Sequence, residues 1–397
     1  MEDLLKGGYV IFERAERMKG LTVEIFNHMI EMNKKALEAG VDVIQLAFGS
    51  PDLSPASHII ETIVEESKNP KNYGYPGSKG IPELLKAISD WYWNEFGVRL
   101  DPISEVRSLI GSQEGLVYIA QSLINPGDIA LLPDPCFPIF TEGCLIAGAE
   151  IHKMPLLSEN NNLPCLDSIS ESVWKRTKLM FLNYPNNPTS VIAPREFFEK
   201  VVALAHKYKF LVCHDFAYSH LVFDGGHQES FLSIPGAKEI GIEFNSLSKT
   251  YNMCGCRTGY VVGNSNVLSI LGRFKSTFDV GIFTPLQKAA IAALTGSQKS
   301  IHENKSTYQR RRDIVVDGLK SIGWDVERSQ AGLYVWGRVP TKQSSFDFTT
   351  DLFKNTGVMI TPGSAFGEYG EGHIRVVLVQ PEDRIAEAIH RIKKWTS

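Results

Sequence analysis

The chain is poor in cysteine, with six in 397 residues: Cys136, Cys144, Cys165, Cys213, Cys254 and Cys256. So few thiols exclude a disulfide scaffold, and the one close pair, Cys254-Gly-Cys256, lacks the C-x-x-C spacing of a zinc site. Buried free thiols are expected instead. No stretch reaches the ~18 uninterrupted apolar residues that a membrane span requires. The opening MEDLLKGGYVIFERAERMKG scatters charges and holds no apolar secretion core. With 41 basic and 45 acidic residues the net charge is −4, without the positive surplus that nucleic acid or an anionic membrane would call for. A soluble, cytoplasmic protein is expected. Repeats, low-complexity tracts and Pro/Ser/Gly-rich linkers are missing too, so any domain boundary is soft.

What is present is size and alternation. The length exceeds what one hydrophobic core comfortably fills, so two domains or one large elaborated α/β unit are expected. PELLKAISDWYWNEFG (82–97) sets Leu84, Leu85, Ile88, Trp91, Tyr92 and Phe96 near 3.6-residue spacing and stops at Gly97, which predicts an amphipathic helix. Short apolar runs follow at 106–110, 128–133, 178–183, 210–215, 240–246 and 260–263, separated by helical stretches such as GLVYIAQSLI and REFFEKVVALAHKYK. That order predicts a mainly parallel sheet covered by helices on both faces. After about residue 285 the alternation fades, and SIGWDVERSQAGLYVWGRVP, GHIRVVLVQ and the closing helix PEDRIAEAIHRIKKW predict a smaller α+β unit. The first 48 residues carry an apolar helical stripe (Ile25, Met29, Met32) but no sheet pattern of their own. We therefore expect a large domain over 49–286 and a discontinuous small domain over 1–48 and 287–397.

In an open parallel sheet, ligands bind in the crevice outside the carboxyl ends of the strands. The residues just past each apolar run are the candidates. After VRSLI comes Gly111-Ser112-Gln113-Glu114-Gly115, opening a helix whose free N–H groups suit a phosphate, although alone it reads as an ordinary cap. After KLMFLN comes YPNNPTS (184–190), a turn that leaves amide side chains free. FLVCHD ends in Asp215 at the sheet rim, which alone would be a cap. EFNSLSK delivers Ser246, Ser248 and Lys249, with Arg257 beyond, and a lysine in a hydroxyl-rich loop is by default solvated. Together they supply what a phosphate-bearing pyridine aldehyde needs: an amine for a Schiff base, a carboxylate for the ring nitrogen, and a cationic, hydroxyl-lined phosphate cage.

In NYPNNPT, HDFAY and SLSKTYNMCGCRTGY, and from AFGSPD (47–52) to HIRVVLVQ (373–380), the sequence resembles the fold-type-I pyridoxal-phosphate enzymes, specifically the class I/II aminotransferases of the aspartate aminotransferase superfamily. The resemblance implies an α/β fold with a mainly parallel seven-stranded sheet, and pyridoxal 5'-phosphate as cofactor. It makes Lys249 the Schiff-base lysine and proton shuttle, Asp215 the partner of the ring nitrogen, and Asn187 and Tyr218 the partners of the phenolic oxygen. Phe137 would stack on the ring. The Ser112 and Gln113 amides, Ser246, Ser248 and Arg257 would surround the phosphate. Tyr75 would reach the neighbouring subunit's cofactor, which makes the active unit a homodimer with shared sites. Arg375 would grip the substrate α-carboxylate, with Gly49 closing over the same group. The reaction would be a ping-pong exchange between an L-amino acid and a 2-oxo acid.

Four positions depart from the family pattern: Ser190 stands where glycine is usual, Phe137 replaces tyrosine or tryptophan, Cys136 a small residue and Cys256 a tryptophan. Phenylalanine can still stack. The wording of EFNSLSKTYNM and HDFAYS is similar to the branch holding LL-diaminopimelate and methionine aminotransferases, so LL-diaminopimelate is one alternative substrate. Yet YPGSKG (75–80) offers Ser78 and Lys79 where members accepting diaminopimelate tend to carry an acid, which favours a neutral or acidic side chain in the donor. A lyase cleaving C–S bonds on the same fold is a second alternative. A regulator with a fused DNA-binding helix-turn-helix is disfavoured by the short N-terminal segment and the acidic net charge.

Overall fold

The computed structural model describes residues 13, 15–18, 20–21 and 23–396. The expectations for the opening twenty residues and for the 1–48 segment therefore fall partly on residues 1–12, 14, 19 and 22, which lie outside those described. Seven strands form the main sheet: β1 (Val106–Leu109), β2 (Ile129–Asp134), β3 (Glu150–Pro155), β4 (Thr177–Asn183), β5 (Leu211–Asp215), β6 (Gly241–Ser246) and β7 (Gly259–Gly263). Their order is β1-β7-β6-β5-β4-β2-β3, with every pairing parallel except the two made by β7. The carboxyl ends of β1 to β6 therefore share one edge of the sheet.

Burial explains why six of these strands were legible and one was not. All six residues of β2 and all six of β6 are buried, so both strands are closed over on both faces; β2 is apolar up to Asp134, whereas β6 also buries Glu243, which accepts from Tyr92, Ser230 and the Phe231 amide. β3, EIHKMP, pairs only with β2, and Met154 is its one buried residue, so an edge strand can be polar. The helix Pro82–Phe96 buries Leu84, Leu85, Ile88, Trp91 and Tyr92 on one stripe. It ends at Gly97, whose φ of 66° is left-handed and whose amide donates to the carbonyls of Trp93 and Tyr92.

Beyond this sheet, three antiparallel strands, Thr361–Pro362, His373–Val377 and Tyr334–Arg338, form a second sheet in that order. The helices Lys299–Ser321 and Glu382–Thr396 pack on one another beside it. Ile44–Gln45 pairs in parallel with Val358–Met359. The helix Val23–Glu38, here α1, buries Met29 with Ala47, Phe353 and Met359, and Ile25 and Met32 pack at the margin. The helix Thr284–Thr295 runs across residue 287 and sends Ala289, Ala290, Ala293 and Leu294 into the same cluster as Leu84, Ile88 and Trp91. Among the described residues, no helix is long and apolar enough to cross a membrane.

Candidate active site

The strand ends of the main sheet converge on a cavity of about 280 Å³, near the lower end of small-ligand sites, roughly 300 Å³. All the candidate residues line it except Tyr75. Gly111 follows β1 with φ 72°, and the helix beginning at Ser112, here α2, starts from it. A Cβ on Gly111 would collide with the Arg257 guanidinium, and a Cβ on Gly259 would come 2.7 Å from the Ser112 amide nitrogen. The arginine thus lies directly against the N-terminus of α2. Behind it, Glu114 accepts hydrogen bonds from the Ile110 amide and from Lys275, which is 1% exposed and also binds Asp279.

At the end of β4, the Asn183 side chain accepts from the Asn187 amide at 2.7 Å and donates to the Asp215 carbonyl at 2.9 Å. One side chain so ties two strand ends together. Asp215 accepts from the Ala217 amide at 3.1 Å, and burial pushes its carboxyl up to about 6. On the opposite face of β5, His214 meets Glu243 at 2.8 Å, both fully buried. The Tyr218 hydroxyl lies 2.7 Å from that of Tyr334, and burial holds both phenols above their usual range.

β6 runs into a single helical turn, Leu247–Thr250, where Ser246 accepts from the Ser248 amide at 3.2 Å. That turn carries Lys249, whose Nζ donates to the Gly49 carbonyl at 2.6 Å. Burial lowers the amine from 10.5 to about 8, with Arg375 and Arg257 acting in the same direction. Gly49 has no room for a side chain, since a Cβ would meet the Tyr334 hydroxyl at 2.7 Å.

Arg375 is 4% exposed and lies between two rings, 4.4 Å from the centroids of both Tyr334 and Phe366. Its Nη1 donates to Asn187 Oδ1 at 2.8 Å and its Nη2 to the Ala47 carbonyl at 2.7 Å. Nε has no partner in the structure. A buried guanidinium held only by neutral acceptors is an anion site in waiting, because its charge has no counter-charge of its own.

Tyr75 is 89% exposed and outside the cavity. Its loop abuts 279–283: a Cβ on Gly281 would overlap the Gly77 carbonyl, and Tyr73 packs edge-on against Phe283 at 5.3 Å. Phe137 lines the cavity, and the amide of the buried Cys136 donates to the Phe366 carbonyl at 2.8 Å. Ser190 takes the glycine-like φ of 62° and donates to the Tyr334 carbonyl at 2.8 Å, so the hydroxyl compensates for the left-handed backbone. Cys256 is half-buried beside the main core, whereas Cys254 lines the cavity 3.5 Å from Ser50 Oγ.

Sequence reasoning passed over Asn183, Tyr334, Phe366 and Phe26, all of which line the cavity. Asn183, the polar residue ending an apolar run, carried a usable signal. The other three are aromatic and read as core. A larger cavity of about 690 Å³ lies on the other side of the 184–190 turn, beside Thr189 and Trp336, and holds neither Lys249 nor Asp215.

This donor set fits pyridoxal phosphate. It offers a lysine amine partly freed of its proton, a fully buried carboxylate, a helix N-terminus with serines and an arginine for a phosphate, and an unpaired buried arginine for a substrate carboxylate. The family model for aminotransferase class I and II matches residues 41–392. An LL-diaminopimelate aminotransferase of Halothermothrix orenii is 45% identical over 381 residues, covering 96% of this chain and 98% of that relative. The substrate-bound structure of BacF from Bacillus subtilis superposes with a TM-score of 0.94 at 37% identity, covering 98% of both chains. An aspartate aminotransferase double mutant from Thermus thermophilus reaches a TM-score of 0.90 at 25% identity, covering 97% of this chain and all of that one. The chain therefore belongs to the class I and II aminotransferases, and is a pyridoxal-phosphate-dependent enzyme that moves amino groups between amino acids and 2-oxo acids.

Proposed function

We propose that Lys249 is the amine that would hold the cofactor and that, when free, it would be the base that takes the proton from the substrate Cα. When bound, pyridoxal phosphate supplies a ring that accepts the electron pair left at Cα. Asp215 would keep the ring nitrogen protonated, Asn187 and Tyr218 would bond the phenolic oxygen, and Phe137 would pack on the ring. The α2 amides at Ser112 and Gln113, with Ser246, Ser248 and Arg257, hold the phosphate. Arg375 and Gly49 bind the substrate carboxylate. The observation that carries this reading is Lys249 itself: an amine lowered to about 8, in one cavity with a buried carboxylate and an unpaired guanidinium. An amine that gives up its proton near pH 8 rather than 10.5 has a larger neutral fraction, and that fraction is both nucleophile and base. In Lys249→Ala, transamination should fall by roughly 10⁴-fold, and undiminished turnover would refute the assignment.

For the donor we propose a neutral or acidic side chain. Asp215 is the single carboxylate among the described lining residues and is committed to the ring nitrogen. The 75–80 loop, which we propose enters the neighbour's site in a homodimer, carries Lys79 and no acid. A second reading, LL-diaminopimelate, is favoured by the name of the 45%-identical relative. A donor screen decides between them, because diaminopimelate far ahead of neutral and acidic donors would select the second. Pyruvate and ammonia released without an oxo-acid acceptor would select a lyase. The six cysteines are free thiols, which supports a reducing, cytoplasmic compartment. One cluster gathers Ile44, Leu46 and residues 308–392 together with Ala217, Tyr218, Leu221 and Phe223, and the main sheet has two clusters of its own, which supports two domains packed at the 217–223 segment. The packing of Thr284–Thr295 favours a boundary after that helix.

A further inference from the structure

Resting on the transaminase reading above, we infer that the donor side chain is aromatic, received by a wall that Phe26, Phe48 and Phe366 build beside the carboxylate clamp. Two observations carry this independently of one another. The first is a charge balance. The cavity is lined by four charged side chains, Asp215, Lys249, Arg257 and Arg375. With the ring nitrogen, the cofactor aldehyde, the phosphate and the substrate α-carboxylate as their counterparts, none is left over. An ionised side chain entering here would be desolvated without a partner from this chain, which narrows the neutral or acidic donor proposed above to a neutral one.

The second is the shape of the remaining wall. Phe26 on α1 packs against Phe48 at 6.5 Å and meets Phe366 edge-on at 6.2 Å and 79°. All three line the cavity. Phe366 is buried, whereas Phe26 and Phe48 are half-buried and still present apolar surface. Phe48 directly precedes Gly49, whose carbonyl holds Lys249, and the Phe366 ring lies 4.4 Å from the Arg375 guanidinium carbon. A substrate whose carboxylate pairs with Arg375 therefore places its own side chain within reach of this wall. Aromatic rings meeting edge to face at such spacings gain beyond area burial, and an aliphatic stub such as alanine's leaves the wall uncovered. Because Phe26 belongs to α1, that helix supplies the specificity surface while the sheet supplies the chemistry.

The test uses holoenzyme and two readouts. In single-turnover reactions followed by cofactor absorbance, kcat/KM for phenylalanine and tyrosine should exceed that for alanine, glutamate and LL-diaminopimelate by about tenfold or more, the size of effect an apolar pocket gives. In spectral titrations, the unreactive 3-phenylpropionate should bind at least tenfold tighter than propionate or glutarate. Phe26→Ala and, separately, Phe48→Ala should reduce both preferences about tenfold. Glutamate or diaminopimelate ahead of phenylalanine, or 3-phenylpropionate binding no better than propionate, would overturn the aromatic pocket while leaving the transaminase intact. No spectral change with any donor would instead overturn the transaminase reading beneath it.

Discussion

At Lys249, the burial that disfavours the ammonium form is what makes the amine usable. Its folded-state value of about 8 lies below the ordinary lysine value of 10.5, so the unfolded chain binds more protons across that window. The apoprotein therefore gains stability as pH rises from 8 towards 10.5, and below 8 the buried ammonium opposes folding. Capture of pyridoxal phosphate by the apoprotein should accelerate with pH, with a midpoint near 8. Stopped-flow absorbance would show this, and a flat profile would contradict a burial-lowered lysine. Asp215 has the opposite sense. Raised from 3.8 to about 6, it takes up a proton in the folded apoprotein before it does in the unfolded chain, so that apoprotein gains stability as pH falls through 6 towards 3.8. Asp215→Asn should keep the cofactor attached yet lose about 10³-fold in turnover, the scale of a lost transition-state charge partner. Gly111 tests the phosphate cage without removing a charged group. Gly111→Ala forces a Cβ into Arg257 at a left-handed φ, so equilibrium dialysis should show cofactor affinity down by tenfold or so.

At the scale of elements, the candidate site is a set of strand ends held in register by side chains that lie outside the cavity. Lys275 is the clearest case. On the helix Ser265–Phe278, it is 1% exposed and bridges Glu114 on α2 to Asp279 at the helix end. Asp279 Oδ1 also accepts from the Gly281 amide, in the segment against which the Tyr75 loop lies. Lys275→Met leaves two largely buried carboxylates without their cation, and unfolding in denaturant should show a loss of about 3–5 kcal/mol. Most of these elements were legible in sequence, because a strand covered on both faces is apolar wherever it lacks a buried polar partner and a helix packed on one face has to be striped. β3 was not, since an edge strand can take EIHKMP without burying a charge. The candidate site was legible for a related reason: Asp215, Lys249 and Ser112 are polar residues directly beyond apolar runs. Tyr334, Phe366 and Phe26 face the same cavity yet are apolar rings among apolar neighbours, and only the packing distinguishes them from core.

For the whole molecule, one chain provides a nearly complete site and leaves Tyr75 outside it. Tyr73, Tyr75, Phe278, Val280 and Phe283 are exposed together on the flank where the 75–80 and 279–283 segments meet. Covering such an apolar patch favours association, and in the proposed homodimer Tyr75 would complete the neighbour's phosphate site. Sedimentation should find a dimer at assay concentration, and Tyr75→Phe should weaken cofactor binding by about one hydrogen bond, roughly 1 kcal/mol. A fully active monomer would exclude shared sites. Every role proposed for the site depends on which amine holds the cofactor. Reduction of the holoenzyme with borohydride, followed by peptide mass mapping, fixes that attachment permanently. A phosphopyridoxyl mass on the peptide containing Lys249, and on no other lysine, is the expected result. The same mass on another lysine, or no adduct at all, would contradict it.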